Sequence, residues 1–72
     1  MKRIANILNS EIPIGGFGRS LTSAECKKLR DAGISCSERW AVVRRNDSPT
    51  TGILYYPAAS GGLTNAGVIV DD

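Results

Sequence analysis

Along this chain, apolar residues recur at two different periods, and the clearest helical stretch is bounded at both ends. In Leu21-Thr22-Ser23-Ala24-Glu25 the Thr22 hydroxyl is placed to cap the first turn of a helix. Glu25, three residues on, can reach back to the Thr22 N–H, and Leu21 and Cys26 sit where a hydrophobic staple closes. The far end is marked by Gly33, a residue suited to the left-handed conformation past a helix, with Ile34 able to fold back onto Leu29. The pattern predicts a capped central helix over about 23–32. Cys26, Leu29 and Ala32 share its core side, and Lys27, Lys28 and Arg30 surround its solvent side. Upstream, Ile4, Ile7 and Leu8 follow the i, i+3, i+4 spacing of a short N-terminal helix, which Asn9, Ser10 and Pro13 would end.

Downstream the composition changes. RWAVVRR (39–45) and TGILYYP (51–57) are rich in β-branched and aromatic residues and bracket the turn-forming NDSPT. This predicts a β-hairpin of about 39–45 and 51–56, in which the adjacent Arg44 and Arg45 point to opposite faces. AGVIV, near the end, can add a third strand, while the Gly-rich stretch before it equally leaves 58–72 a mobile tail. The expected fold is α+β, in a single small domain over 1–72: two helices and a hairpin.

At 72 residues the chain is close to the size at which one core barely offsets the entropy of ordering it. With 42% hydrophobic and 22% charged residues it has the make-up of a folded protein, and its net charge is only +2. All nine Lys and Arg precede an uncharged run of 18 residues from Ile53 to Val70. Pro57, Gly61, Gly62, Thr64 and Asn65 interrupt that run, so no membrane span is expected from it. MKRIANIL has no apolar segment or cleavage site of a secretion signal, which points to the cytoplasm. Cys26 and Cys36, ten residues apart and with no His in the chain, then read as reduced, half-buried thiols rather than metal ligands.

The glycines of IPIGGFGRS invite a nucleotide reading, which the spacing rejects. A phosphate-cradling loop of the GxxxxGK[ST] type follows a strand, whereas Gly15, Gly16 and Gly18 follow Pro13 with the spacing two residues short and Arg19-Ser20 in the Lys-Ser place. These glycines instead let the loop lie flat, with Phe17 as its anchor. No cofactor is expected. Catalysis is not expected either: a nucleophile would have to be Cys26 or Cys36 activated by Lys, and Cys26 has a core role. Of the acids Glu11, Glu25, Asp31 and Glu38, two are accounted for as helix caps.

Two binding classes remain. In the first, LRDAGIS (29–35) is the turn of a helix-turn-helix DNA-binding regulator, with Ser35-x-x-Glu38 capping a recognition helix. Leu29 stands where such motifs carry a small residue, and Trp40 is one step out of phase. In the second, the chain is a protein-binding module anchored by aromatic and Arg side chains, with Trp40, Tyr55, Tyr56, Arg44 and Arg45 clustered in the hairpin. From MKRIANILNSEIPIGGFGRS through LTSAECKKLRDAGISCSERW the chain resembles the small RNA polymerase-binding transcription regulators of lytic Xanthomonas phages. That resemblance implies a host-takeover protein, working in the cytoplasm of the bacterial cell, that engages the N-terminal part of the β′ subunit and the β flap. It further implies that initiation is inhibited through sigma-factor displacement, that antitermination is promoted, and that nucleic acid is met only through the transcription complex. No matched motif carries contact residues over. Charge and exposure nominate Arg44, Arg45, Lys27, Lys28, Arg30 and Tyr55 for partner binding.

Overall fold

The computed structural model describes residues 2–8, 12, 14, 15, 18–48 and 50–72. Its elements in chain order are β1 (Lys2–Ile4), β2 (Arg19–Ser20), α1 (Ser23–Asp31), β3 (Ala41–Arg44), β4 (Thr51–Pro57) and β5 (Leu63–Asp71). The strands form one five-stranded sheet in the order β1-β5-β4-β3-β2, antiparallel throughout except that β1 runs parallel to β5.

The helix lies where its capping signals place it. Thr22 Oγ1 accepts from the Glu25 N–H at 3.2 Å, and Glu25 Oε1 accepts from the Thr22 N–H at 2.9 Å. At the other end Ile34 N–H donates to Leu29 O and Gly33 N–H to Arg30 O, both at 2.9 Å, with Gly33 at φ +90. That is a Schellman ending, and the positive φ is why Gly stands there.

The expected α+β arrangement of two helices and one hairpin is overturned: among the described residues α1 is the only helix and the molecule is mostly sheet. No short N-terminal helix forms. Ile4 belongs to β1 and pairs with Val70, and the chain then turns at Asn6, φ 60, so that Ile7 and Leu8 both enter the core from an extended segment. Of three apolar residues at helical spacing, Ile7 and Leu8 are thus buried and Ile4 packs at the edge of the core without a helix, and Asn tolerates the positive φ the bend needs. Of the two alternatives for AGVIV the strand is the one present: 63–71 is β5, with Val68 and Val70 buried. Nor does a recognition helix follow α1. Residues 38 and 39 form a turn, Trp40 N–H donates to Ser37 O at 3.0 Å, and Glu38 accepts from the Ser23 hydroxyl instead of capping. Asn9, Ser10, Glu11, Pro13 and Phe17, to which roles as helix breakers, acid and loop anchor were assigned, lie outside the described residues.

Strand register sorts the side chains onto two faces. Val42 pairs with Leu54, Arg44 with Gly52 and Gly52 with Val70, so Val42, Leu54, Val70 and Val68 share the face that α1 covers with Cys26 and Leu29. Val43, Ile53, Tyr55 and Ile69 lie on the opposite face, where they are only half-buried. An irregularity between Ile53 and Tyr55 changes the β4–β5 register from Ile53↔Ile69 to Tyr55↔Asn65. One buried charge stands out on the helix side. Glu25, fully shielded from solvent, receives Arg19 Nη1 at 2.8 Å and Nη2 at 2.7 Å, which ties β2 to the first turn of α1. These hydrogen bonds hold the Arg19 guanidinium above its ordinary pKa against the opposing effect of burial.

Candidate functional site

Among the described residues α1 covers one face of the sheet, and the opposite face carries the candidate site. It forms an open groove of about 490 Å³ with an apolar floor of Val43 and Ile53 and walls of Tyr55, Leu63 and Gly18. Gly18 is required by the close approach of its loop to β3: a Cβ there would lie 2.9 Å from Val43 Cγ2 and 3.1 Å from the Val42 carbonyl. Gly18 therefore lies directly against β3. Leu63, beyond the start of β3, is 55% exposed, and Ile14, bridged to Arg44 at the other end of that strand, is 59% exposed.

The rim is charged. Arg45, just past the end of β3, gives Nε and Nη2 to Asp47 Oδ1 and Oδ2 at 3.0 and 2.8 Å. This two-pronged donation holds the Asp47 carboxyl below its ordinary pKa. The neighbouring Arg44 turns the other way, as alternation along the strand requires. It is buried, and its Nη1 donates to Asp72 Oδ2 at 3.0 Å, pinning the last residue to the sheet.

Of the six residues nominated for partner binding, the fold brings Arg45 and Tyr55 together at the groove, and Arg44 contributes to its end while its guanidinium is engaged with Asp72. Lys27, Lys28 and Arg30 are carried by α1 on the far side of the sheet. They do not form one patch: Lys28 Nζ donates to Asn6 O at 3.2 Å on one flank of the helix, and Arg30 Nε donates to Cys36 O at 3.0 Å on the other. Lys2 Nζ adds a bond to Ala32 O at 2.7 Å. Lys28 and Arg30 thus strap the helix to neighbouring segments, and Lys2 satisfies the carbonyl of its C-terminal cap. Of the groove residues not nominated from the sequence, Val43 and Ile53 have a signal that could have found them, whereas Leu63 is brought in by β4–β5 pairing. Val43, Ile53 and Tyr55 lie at alternate positions on the face opposite the fully buried Val42 and Leu54.

Trp40 and Tyr56 stack with ring centroids 5.4 Å apart at the helix-side end of β4, Trp40 half-buried and Tyr56 on the surface. Cys26 and Cys36 are buried free thiols, and Cys36 Sγ lies 3.7 Å from the Cys26 carbonyl. Burial pushes both thiols above their ordinary pKa, the opposite of what a nucleophile needs. Among the described residues no helix is long and apolar enough to cross a membrane. No protein-family model, curated protein or solved structure matches the chain.

Proposed function

We propose that this chain is a non-enzymatic transcription regulator of phage origin that docks on bacterial RNA polymerase, at the N-terminal part of β′ and the β flap. In this role it inhibits initiation by helping to displace the sigma factor, and it promotes antitermination. The observation that carries the proposal is the groove on the sheet face opposite α1, where Tyr55, Leu63 and an apolar floor meet the Arg45 rim. Aromatic, aliphatic and Arg side chains around a desolvatable floor are the make-up of protein-docking surfaces. The likeness of the whole chain to the polymerase-binding regulators points to the partner. Charge placement favours protein over direct DNA contact: Arg3, Arg19, Arg44 and Arg45 are each opposed by a carboxylate, and Lys28 and Arg30 diverge to opposite flanks of α1. A duplex-binding face calls for cations aligned along one surface.

The test is capture of purified RNA polymerase holoenzyme by the immobilised full chain, with and without nuclease. Retention of β and β′ after nuclease treatment with depletion of sigma is the expected result, weakened by Arg45→Ala. Tight, salt-sensitive binding of the isolated chain to duplex DNA without capture of polymerase would overturn the proposal.

A further inference from the structure

The two cysteines of the chain meet in the core on the α1 side of the sheet. Cys26 stands in α1, and Cys36 lies ten residues on, in the connection that leads to β3. The reversal at Gly33 folds that connection back along the helix it has just left. Two hydrogen bonds then fix the backbone where the sulfurs meet: Cys36 N–H donates to Ile34 O at 2.9 Å, and Cys36 O accepts from Arg30 Nε at 3.0 Å. Cys36 Sγ is thereby set 3.7 Å from the Cys26 carbonyl, and the two thiols are close enough that each acts on the ionisation of the other.

A buried thiol packs as a small hydrophobe does, but two in mutual contact also hold a reaction that Ala or Val would not. The surroundings divide the roles between them. The Cys26 thiol hydrogen-bonds the Cys36 sulfur and the Arg30 guanidinium lies near it, and both favour a thiolate at Cys36. At Cys26 the Cys36 sulfur and the Glu38 carboxylate oppose one. Burial outweighs these influences and slows ionisation of both, so the reaction depends on proximity more than on thiolate supply.

We infer that Cys26 and Cys36 form a peroxide-responsive disulfide site, at which a small neutral oxidant joins α1 to the connection leading to β3. The Cys36 thiolate attacks one oxygen of hydrogen peroxide, the O–O bond breaks, and the departing hydroxide takes up the thiol's proton as water, leaving a sulfenic acid at Cys36. The Cys26 sulfur then attacks Cys36 Sγ, the S–O bond breaks, and the hydroxyl leaves with the Cys26 proton as a second water. Two thiols are oxidised to one disulfide and one peroxide is reduced to two waters. Exposure selects the oxidant. At 2% and 4% the two residues reach solvent too little for glutathione disulfide to meet either sulfur, whereas hydrogen peroxide is close to water in size. The pair and the docking groove lie on opposite faces of the sheet, so this inference stands apart from the polymerase proposal.

The experiment exposes the folded, reduced full chain to hydrogen peroxide at mildly alkaline pH and reads intact mass and tryptic peptides. The expected product has lost two hydrogens, recovers them with dithiothreitol, and links the peptides 20–27 and 31–39, which carry Cys26 and Cys36. A bond that the native geometry accommodates restricts the unfolded chain more than the folded one, so the oxidised form should melt roughly 10 °C above the reduced form. Cys26→Ala, which keeps Cys36, should be trapped by dimedone as the sulfenic acid, and Cys36→Ala should not. Thiols that stay reduced or pass to sulfinic acid, links between chains rather than within one, or an oxidised form that melts no higher than the reduced one each overturn the site. A glutathione adduct formed as fast as the disulfide overturns the assignment of a small oxidant, and dimedone capture by Cys36→Ala instead of Cys26→Ala overturns the division of roles.

Discussion

Replacing Glu25 with Ala removes in one step the acceptor of two Arg19 hydrogen bonds and of the Thr22 N–H, at a site with no exposure to water. Breaking a buried charge pair from one side costs about 3–5 kcal/mol when the remaining charge stays dry. Here the Arg19 side chain is 22% exposed, so water reaches part of the guanidinium and the lower end of that range applies. The capping box loses its return bond as well, adding about 0.5 kcal/mol. A total of roughly 3 kcal/mol is set against a stability of roughly 4–10 kcal/mol for a chain of this length. For a domain this small each kcal/mol moves the melting temperature by about 4–8 °C, so the variant should melt roughly 12–24 °C lower. Glu25→Gln retains one oxygen for the Thr22 N–H and should lose less. Because the folded-state pKa of Arg19 is raised, its contribution is fully present below the guanidinium's ordinary value and is lost only as pH rises beyond it. The deficit of the Ala variant should therefore be the same at neutral and mildly alkaline pH. The assay is thermal and urea unfolding followed by circular dichroism. An Ala variant melting within about 5 °C of the parent, equivalent to ~1 kcal/mol, would refute the account of Arg19–Glu25 as the link between β2 and α1.

The two adjacent arginines separate stability from binding. Arg44→Ala should cost about 1–3 kcal/mol in urea unfolding, because its buried guanidinium holds Asp72, while Arg45→Ala should change stability by less than ~0.5 kcal/mol and weaken polymerase capture. A reversal of those two effects would mean that the faces are misassigned. Gly33→Ala should destabilise by about 1 kcal/mol from the positive φ alone, since the new Cβ would meet only Lys2 Nζ at 3.8 Å, and an unchanged melt would remove the Schellman ending. Burial raises the Cys26 and Cys36 pKa values above 9.0, so the folded state keeps protons that the unfolded state sheds. Their contribution is full below pH 9.0 and declines as pH rises towards the folded values. The urea midpoint should therefore fall between about pH 8 and 10, and fall less in the double Cys→Ala variant. Alkylation of Cys26 in the native state should be slow, and rapid labelling would contradict its burial.

The legible parts of this fold are those written in local chemistry. Thr22, Glu25 and Gly33 delimit a helix through contacts spanning a few residues, and the Val42–Val43 and Ile53–Leu54 pairs lie within strands that meet across a short turn. Ile4 is the opposite case. Its partner Val70 is at the other end of the chain, and nothing in MKRIANIL distinguishes a strand followed by a turn at Asn6 from one and a half turns of helix. AGVIV carries a strand signal, but its place beside β4 and β1 depends on the register change near Gly67, a non-local event. The site was half visible for the same reason. Arg45 and Tyr55 were nominated as a charged and an aromatic residue in the hairpin, whereas Leu63 joins them only through β4–β5 pairing. Lys27, Lys28 and Arg30 were nominated as a basic helix face. Their heads are occupied by carbonyls of the flanking segments or diverge around the helix, which is decided by packing and not by sequence spacing.

The parallel pairing of β1 with β5 also governs when this protein can exist. Lys2 meets Val68 and Ile4 meets Val70, and the Ile7 N–H finds its acceptor at the Asp71 carbonyl 3.0 Å away. Contacts between the two extremes of a chain form only after nearly all of it has been closed into a loop, which makes them slow and late in folding. During synthesis the N-terminal residues emerge first, so Ile4 and Ile7 wait without their partners until the residues around Val68–Asp72 have left the ribosome. A product cut short by these last few residues loses the strand that seats β1, the carbonyl that holds Ile7 and the Asp72 carboxylate on Arg44 together. The fold is thus not assembled from either side alone, because β1 has its seat only once β5 is in place.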